Sequence, residues 1–376
     1  MKKKIFLLFL FLCSAFSFSQ NPQLSENTQI SILTCGRGEE LYSTFGHTAL
    51  RIKDETNQLD IVYNYGMFDF RTENFYLKFV KGDLQYFMNV TSFEDFILEY
   101  QMDKREVVEQ TLDLSITKKQ ELFNLLNNNL FSTEKYYTYK FIDRNCTTMV
   151  ANKLNEIYKE IHFEKVDDKT ISYRKLLYPY FDNYFWYKLG INIVFGLKTD
   201  TDAEKLFLPK ELLNSIDKAK INGKLIVLSK NTIVKGETVQ PKFSFLNSIY
   251  VIIISLLILI LLNSKILFKT YLFINGLLGL LLCLIGFYSQ HQEVLWNYNA
   301  LLFNPLFILI PFINRNLSRK ITLTSLLLLL IYCMAMLTKP HLIIMLPFII
   351  TNLYILIKLN GRNPIQLLTS IKKNRA

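Results

Sequence analysis

Histidine and cysteine are both scarce here, four of one and five of the other in 376 residues. No CxxC or HxxxH spacing links them, which excludes the common tetrahedral zinc frameworks, and no cofactor is expected. There is no glycine-rich phosphate loop, internal repeat or low-complexity linker. A basic stripe is also missing from the middle of the chain. Residues 1–19 carry +3, residues 20–244 about −2 and residues 245–376 +10, within a total of +11. That distribution excludes nucleic acid as a partner and makes the basic balance a report on membrane topology.

What is present divides the chain in three. Residues 1–19 place Lys2, Lys3 and Lys4 before an apolar run from Ile5 to Leu12 and then Ser17-Phe18-Ser19, the layout of a secretory signal peptide. Leu12, directly before Cys13, argues for ordinary signal cleavage over the lipoprotein type. Residues 20–243 form an exported domain, and residues 244–376 a membrane domain with a basic tail. Apolar segments at 245–262, 266–287, 299–313, 321–338 and 342–357 predict five transmembrane helices. With the exported domain outside, Lys265, Lys269, Arg315, Arg319, Lys320 and the basic tail all fall inside, and Lys339 alone is left to the outer loops.

Cys13 leaves with the signal, and Cys283 and Cys333 lie within apolar spans as packing residues. Cys35 and Cys146 remain in the outer compartment, where a disulfide between them is one reading. The other starts from "YKFIDRNCTTMVANKL", residues 139–154. Small or apolar positions at 146, 149, 150, 154, 157, 158 and 161 predict an amphipathic helix to about Ile161, capped by Asn145 or Asp143. Cys146 then sits in the first turn, where the helix dipole favours a thiolate.

A thiol nucleophile needs a base, and "FGHTALRIKDETNQLDIVYNYG", residues 45–66, supplies His47. Two strand-like runs flank Asp54-Glu55-Thr56-Asn57, predicting a hairpin in which Arg51 faces Asp60, Ala49 faces Val62 and His47 faces Asn64. Leu50, Ile52, Leu59, Ile61 and Tyr63 then share the opposite face. Asn64 beside the imidazole can fix its tautomer as the third member of a Cys146, His47, Asn64 triad. Each residue taken alone also fits a structural role. The order, Gly46-His47 opening a strand and Asn145-Cys146 opening a helix about a hundred residues later, is that of a circularly permuted papain-like site. The fold class expected is therefore an α+β permuted papain-like domain followed by an all-α membrane domain. A further strand is expected over 106–112, and a helix to about Leu130 that opens on a Thr117/Gln120 capping box.

Four stretches, "CGRGEELYSTFGHTALRI", "YNYGMFDFRTENFYLKFVKGDLQYF", "YYTYKFIDRNCTT" and "YRKLLYPYFDNYFWYKLGINIVFGLKTDTDAEKLFLPKELL", together with "HQEVLWNYNALLFNP" in the membrane half, resemble the Lnb-type bacterial lipoprotein N-acyltransferases. More distantly, the order is similar to the lecithin-retinol acyltransferase group. That group has a second histidine where this chain runs from Gln58 to Asp60, so its third catalytic member does not carry over.

The resemblance implies an inner-membrane enzyme with its catalytic domain in the periplasm. Cys146 would take an acyl chain from a membrane phospholipid as a thioester, with His47 as base. It would then pass the chain to the α-amino group of a lipoprotein's diacylglyceryl-cysteine, and the Cys146 N–H would receive the oxyanion. Met67 to Phe79 can line an acyl groove, and Arg37, Arg71 and Arg144 can hold a phosphate. His291, Asn297 and Asn299, with Glu293, Asn304 and the interfacial Trp296 and Tyr298, can form a substrate-docking surface. Two alternatives stand beside this reading: a membrane-anchored cysteine peptidase or amidase acting on cell-wall peptide, and a non-catalytic envelope scaffold with Cys35 and Cys146 joined.

Overall fold

A computed structural model describes residues 22–237 and 243–361. The expected signal segment and the basic tail beyond Gly361 lie outside the described residues.

The exported region is built on strands β1 (Gln29–Cys35), β2 (His47–Asp54), β3 (Leu59–Met67), β4 (Gln85–Ser92), β5 (Val107–Leu112) and β6 (Tyr136–Thr138), a short β7/β8 hairpin (Lys220–Ile221 and Lys224–Leu225), and β9 (Val227–Val234). Seven of these form one antiparallel sheet in the order β6-β4-β3-β2-β1-β5-β9. Around it lie α1 (Phe75–Lys81), α2 (Phe93–Met102), α3 (Ile116–Leu130), α4 (Cys146–Ile157), α5 (Tyr173–Leu177), α6 (Phe185–Val194) and α7 (Pro209–Lys218).

Strand alternation feeds two cores. Ile30, Ile32, Leu50, Ile52 and Tyr63 pack with Leu122 and Leu126 of α3, Val150 and Leu154 of α4, and Leu212 and Ile216 of α7. Leu33, Cys35, Ala49, Val62 and Val107 pack with Phe96 and Tyr100 of α2. The central strands are therefore covered on both faces.

The hairpin forms, but two residues out of the expected register. Ala49 pairs with Asn64, Arg51 with Val62 and Lys53 with Asp60. The cause is Asp54. Its carboxylate accepts from the Ser25 N–H and hydroxyl, the Thr28 hydroxyl, the backbone N–H groups of Thr56 and Asn57, and the Asn57 amide, which organises a wider turn. Burial pushes the Asp54 carboxyl up, but these hydrogen bonds outweigh it and hold it well below the usual carboxylate range. Because the slip is by two, every side chain keeps its face. Arg51 still reaches Asp60, now diagonally and through two bonds of 2.7 Å, and also reaches Glu109 at 3.0 Å.

Three local boundaries also differ. Ser115, rather than Thr117, caps α3 through the Lys118 N–H. The α4 helix stops at Ile157, where Tyr158 leaves the helical region at ψ 76°. Strand β5 begins at Val107.

The membrane region contains α8 (Ile249–Leu262), α9 (Lys265–Tyr288), α10 (Asn299–Leu302), α11 (Arg315–Met336) and α12 (Leu342–Leu359). Three helices, α9, α11 and α12, are long and apolar enough to cross a membrane, and α8 is apolar but has 14 residues. The expected third span, 299–313, is not one helix. It runs as α10 and then a 3-10 turn over Pro305–Leu309, because Pro305 lacks an N–H and pushes Asn304 into extended conformation.

Broken backbone is tolerated at membrane depth only when protein surrounds it. Here the Asn352 amide donates to the Leu302 carbonyl at 2.9 Å, and Asn304 caps the Leu306 N–H while donating to Ser325. Gly279 of α9 supplies the room, since a Cβ there would lie 1.4 Å from the Phe303 oxygen.

The two regions are joined by specific bonds. Residues 288–291, at and just past the end of α9, claim the end of α1. The Tyr288 hydroxyl donates to Leu77 O, Ser289 Oγ to Val80 O and Gln290 N to Lys81 O, and His291 Nε2 meets Phe79 O at 2.9 Å.

A second junction centres on Arg174, fully buried. Its guanidinium donates to Asp200, Asn192 Oδ1, Thr199 Oγ1 and the carbonyls of Ile191, Phe195 and Gly196. Asp200 in turn accepts from Tyr298 of the membrane region, whose hydroxyl also lies 3.0 Å from His341 Nε2. Burial and then Arg174 push His341 down to about 3, so it stays neutral.

Candidate functional site

The expected thiol and imidazole meet. His47 is the first residue of β2 and Cys146 the first of α4. The N-terminus of α4 is pinned to the sheet by its cap and by a Thr48–Thr147 hydroxyl contact of 3.2 Å. Asn145 Oδ1 accepts from the Thr148 N–H at 3.0 Å, and the Asn145 backbone N–H donates to Thr148 Oγ1. Its amide donates to the carbonyls of Phe141 and Phe207. A cap of this kind is worth about 1 kcal/mol and here also fixes where the sulfur points.

His47 Nε2 lies 3.3 Å from Asn64 Oδ1. The Asn64 amide nitrogen faces Val62 O and Thr91 Oγ1, so its oxygen is the end turned to the imidazole. The neutral ring therefore carries its hydrogen on Nε2, which leaves Nδ1 as the basic nitrogen for the sulfur.

Electrostatics couples the pair. Burial pushes the Cys146 thiol up, but the His47 charge and hydrogen bond, the Thr48 N–H and the Thr147 hydroxyl outweigh it and bring the thiol below its ordinary value. Burial pushes His47 down, while the Cys146 charge, its hydrogen bond and the bond from Asn64 raise it above its ordinary value. Opposite shifts of this kind favour a thiolate–imidazolium pair, the state in which sulfur attacks a carbonyl.

Cys35 behaves differently. It pairs with His47 across β1 and β2, yet burial pushes its thiol up to about 12. Both thiols are free, not joined.

Gly66 completes the site. At φ +94° it holds a conformation that side chains disfavour, and a Cβ there would come within 3.5 Å of Cys146 Cβ, 3.9 Å of the Tyr137 oxygen and 4.0 Å of His47 Cε1. The missing side chain leaves a position in van der Waals contact with all three groups.

The remaining expected residues lie elsewhere, with one exception. Arg144 is exposed two residues before the sulfur and stacks over the Tyr137 ring, 5.3 Å from its centroid. Arg37 is bonded to the Pro179 carbonyl beside Tyr180, and Arg71 is paired with Asp69 in solvent. The amides of Asn297 and Asn299 donate to the carbonyls of Asn192, Ile193 and Val194, so both tie α6 to the membrane region and have no donor left for a substrate. His291 grips α1, with Glu293 3.9 Å away.

The segment from Met67 to Phe79 is mostly exposed, with Phe68 and Phe75 half-buried against the edge of the core. Nothing in α1 is buried, and Phe70, Tyr76, Leu77 and Val80 present apolar surface. Phe68 stacks with Phe70, Phe75 and Tyr86 to link this lip to the sheet beside Gly66. A separate cleft of about 510 Å³, lined by Asn152, Asn155, His162 and Lys165, opens behind α4 and does not include Cys146.

Sequence reasoning missed Gly66, Tyr137, Thr147 and the Thr48 N–H. Tyr137 is one of several tyrosines in "YYTYK", and no local pattern separates it from its neighbours. Among the described residues no group of histidine, cysteine and acidic side chains is arranged to hold a metal ion.

Residues 21–179 match the family model described as the Lnb N-terminal periplasmic domain. The match takes in His47, Asn64, Tyr137 and Cys146 and ends ahead of the membrane helices. No curated protein and no solved structure matches. The chain therefore joins a region similar to the Lnb periplasmic domain to a set of apolar helices able to anchor it in a membrane.

Proposed function

We propose that the protein is a lipoprotein N-acyltransferase working by a ping-pong mechanism at the outer surface of the inner membrane. One observation carries this reading: a thiol, an imidazole and an amide in hydrogen-bonded sequence, Cys146, His47 and Asn64, beside an apolar lip fastened to the end of a membrane helix. A wall-peptide hydrolase has no use for that lip, whereas an enzyme whose substrates are bilayer lipids needs one.

In the first half-reaction the Cys146 thiolate attacks the ester carbonyl of a phospholipid. A C–S bond forms, the ester C–O bond breaks, and the imidazolium of His47 gives its proton to the departing lysophospholipid oxygen. Arg144, exposed two residues before the sulfur, is the arginine this reading assigns to the phosphate. In the second half-reaction the α-amine of a diacylglyceryl-cysteine attacks the thioester, His47 takes the amine proton, and the thiolate leaves. Asn64 holds the ring and stabilises its charged form.

The test is intact mass after incubation of the detergent-solubilised full chain with phospholipid. The expected product is a hydroxylamine-sensitive adduct of one acyl chain, absent from Cys146→Ala and slowed about 10²- to 10⁴-fold in His47→Ala. Release of wall peptide with no adduct would replace this reading with the amidase alternative.

A further inference from the structure

We infer that the Tyr137 hydroxyl is a catalytic hydrogen-bond donor to the oxyanion formed when Cys146 attacks an ester. The inference deepens the acyl-transfer reading and rests on it. Tyr137 is 2 % exposed, and its oxygen has no hydrogen-bond partner among the described residues. Leaving such a group unpaired costs about 1–3 kcal/mol, so its persistence calls for a partner that arrives later.

The group nearest to pairing with it is the Gly66 N–H, itself a donor, so the hydroxyl hydrogen remains available. Burial, followed by the charge of Cys146, raises the phenol well above its ordinary value and keeps that hydrogen in place. The position is also right. The Tyr137 oxygen, Cys146 Cβ and His47 Cε1 surround one point above Gly66 at 3.9, 3.5 and 4.0 Å, so a carbonyl carbon reached by the sulfur sets its oxygen within reach of the phenol. The Arg144 guanidinium over the ring adds positive charge near the donor.

As the C–S bond forms, the carbonyl π electrons move to oxygen, and the Tyr137 hydrogen meets the charge there. When the tetrahedral adduct collapses, that hydrogen bond weakens, and the leaving oxygen takes its proton from His47. Tyr137 gives up no proton in the cycle. It stabilises a charge present only near the transition state, which is where stabilisation speeds the reaction.

Two thiol reagents separate this role from a structural one. Reaction of Cys146 with p-nitrophenyl hexanoate passes through an oxyanion, and alkylation by iodoacetamide does not. In the full chain, Tyr137→Phe is expected to slow p-nitrophenol release by about 10²- to 10³-fold while the iodoacetamide rate at the same pH stays unchanged. Equal loss with both reagents, or no loss with the ester, overturns the inference. A wild-type protein that alkylates but accepts no acyl group from ester or phospholipid overturns the acyl-transfer reading, and this inference with it.

Discussion

Two polar clusters are buried in this protein, and they are finished to different degrees. At the junction with the membrane region, Arg174 reaches six oxygen-bearing partners, and Asp200 answers both Arg174 and Tyr298. At the sheet end, the Cys146 sulfur is held by His47, the Thr48 N–H and the Thr147 hydroxyl, and Tyr137 has an idle hydroxyl. The Arg174 guanidinium is paired at every nitrogen, although His341 Nδ1 at the edge of that cluster is not; a paired charge network rigidifies, and an unsaturated site keeps capacity for an outside molecule. Position in the sequence does not distinguish them. Arginine and aspartate at the junction look as functional on paper as histidine and cysteine at the site, and only the count of satisfied groups separates the two.

The contrast can be broken by substitution. Arg174→Met strands Asp200, 2 % exposed at its side chain, and should lower the unfolding free energy of the detergent-solubilised chain by about 3–5 kcal/mol in a denaturant titration. Its iodoacetamide rate should be that of the wild type wherever the variant is folded. A loss of thiol reactivity without a loss of stability would erase the distinction between the clusters.

Asn64→Ala should do the reverse. It removes a hydrogen bond to the imidazolium, worth about 1.5–3 kcal/mol, so acylation should slow by about 10- to 100-fold with little change in the denaturation midpoint. Full activity would take Asn64 out of the site.

The smallest effect is a displacement on the pH axis. Cys146 lies below the ordinary thiol value, so its thiolate persists at pH values under about 8.5 and is lost only as pH falls through the lowered value. Alkylation at pH 7 should therefore label Cys146 and spare Cys35, whose thiol sits at about 12. In Asn64→Ala the acid limb should move to higher pH, because a less basic His47 stabilises the thiolate less. Peptide mapping of the labelled chain reads both outcomes, and equal labelling of the two cysteines would contradict the site electrostatics.

How much of this was legible beforehand varied with the range of the interactions. The α4 stripe and its cap are local, within one or two turns, so the sequence located the helix and narrowed its cap to Asn145 or Asp143, while its end at Ile157 comes four residues before the expected one. The faces of β2 and β3 were also readable, because alternation survives a slip of two residues. The slip itself was not, since it depends on Asp54 being claimed by Ser25 and Thr28, far upstream. The third apolar segment looked like a span by composition. Pro305 and the Gly279 notch turn it into a broken piece packed inside its neighbours, and hydropathy registers neither. Asn297 and Asn299 were polar residues near a membrane surface, and their use as ties to α6 depends on a helix about a hundred residues away.

The short helix α1 has one more lesson. Seven residues form too few internal bonds to be helical in isolation, and here four carbonyls of that element are held by residues at and just beyond the end of a membrane span. An exported fragment cut free of its anchor would thus keep a working sulfur and lose the greasy threshold in front of it. On the acyl-transfer reading proposed above, such a fragment is expected to react with small water-soluble electrophiles and to lose its access to lipid, because the lip belongs to the sheet region but is held in place by the membrane region.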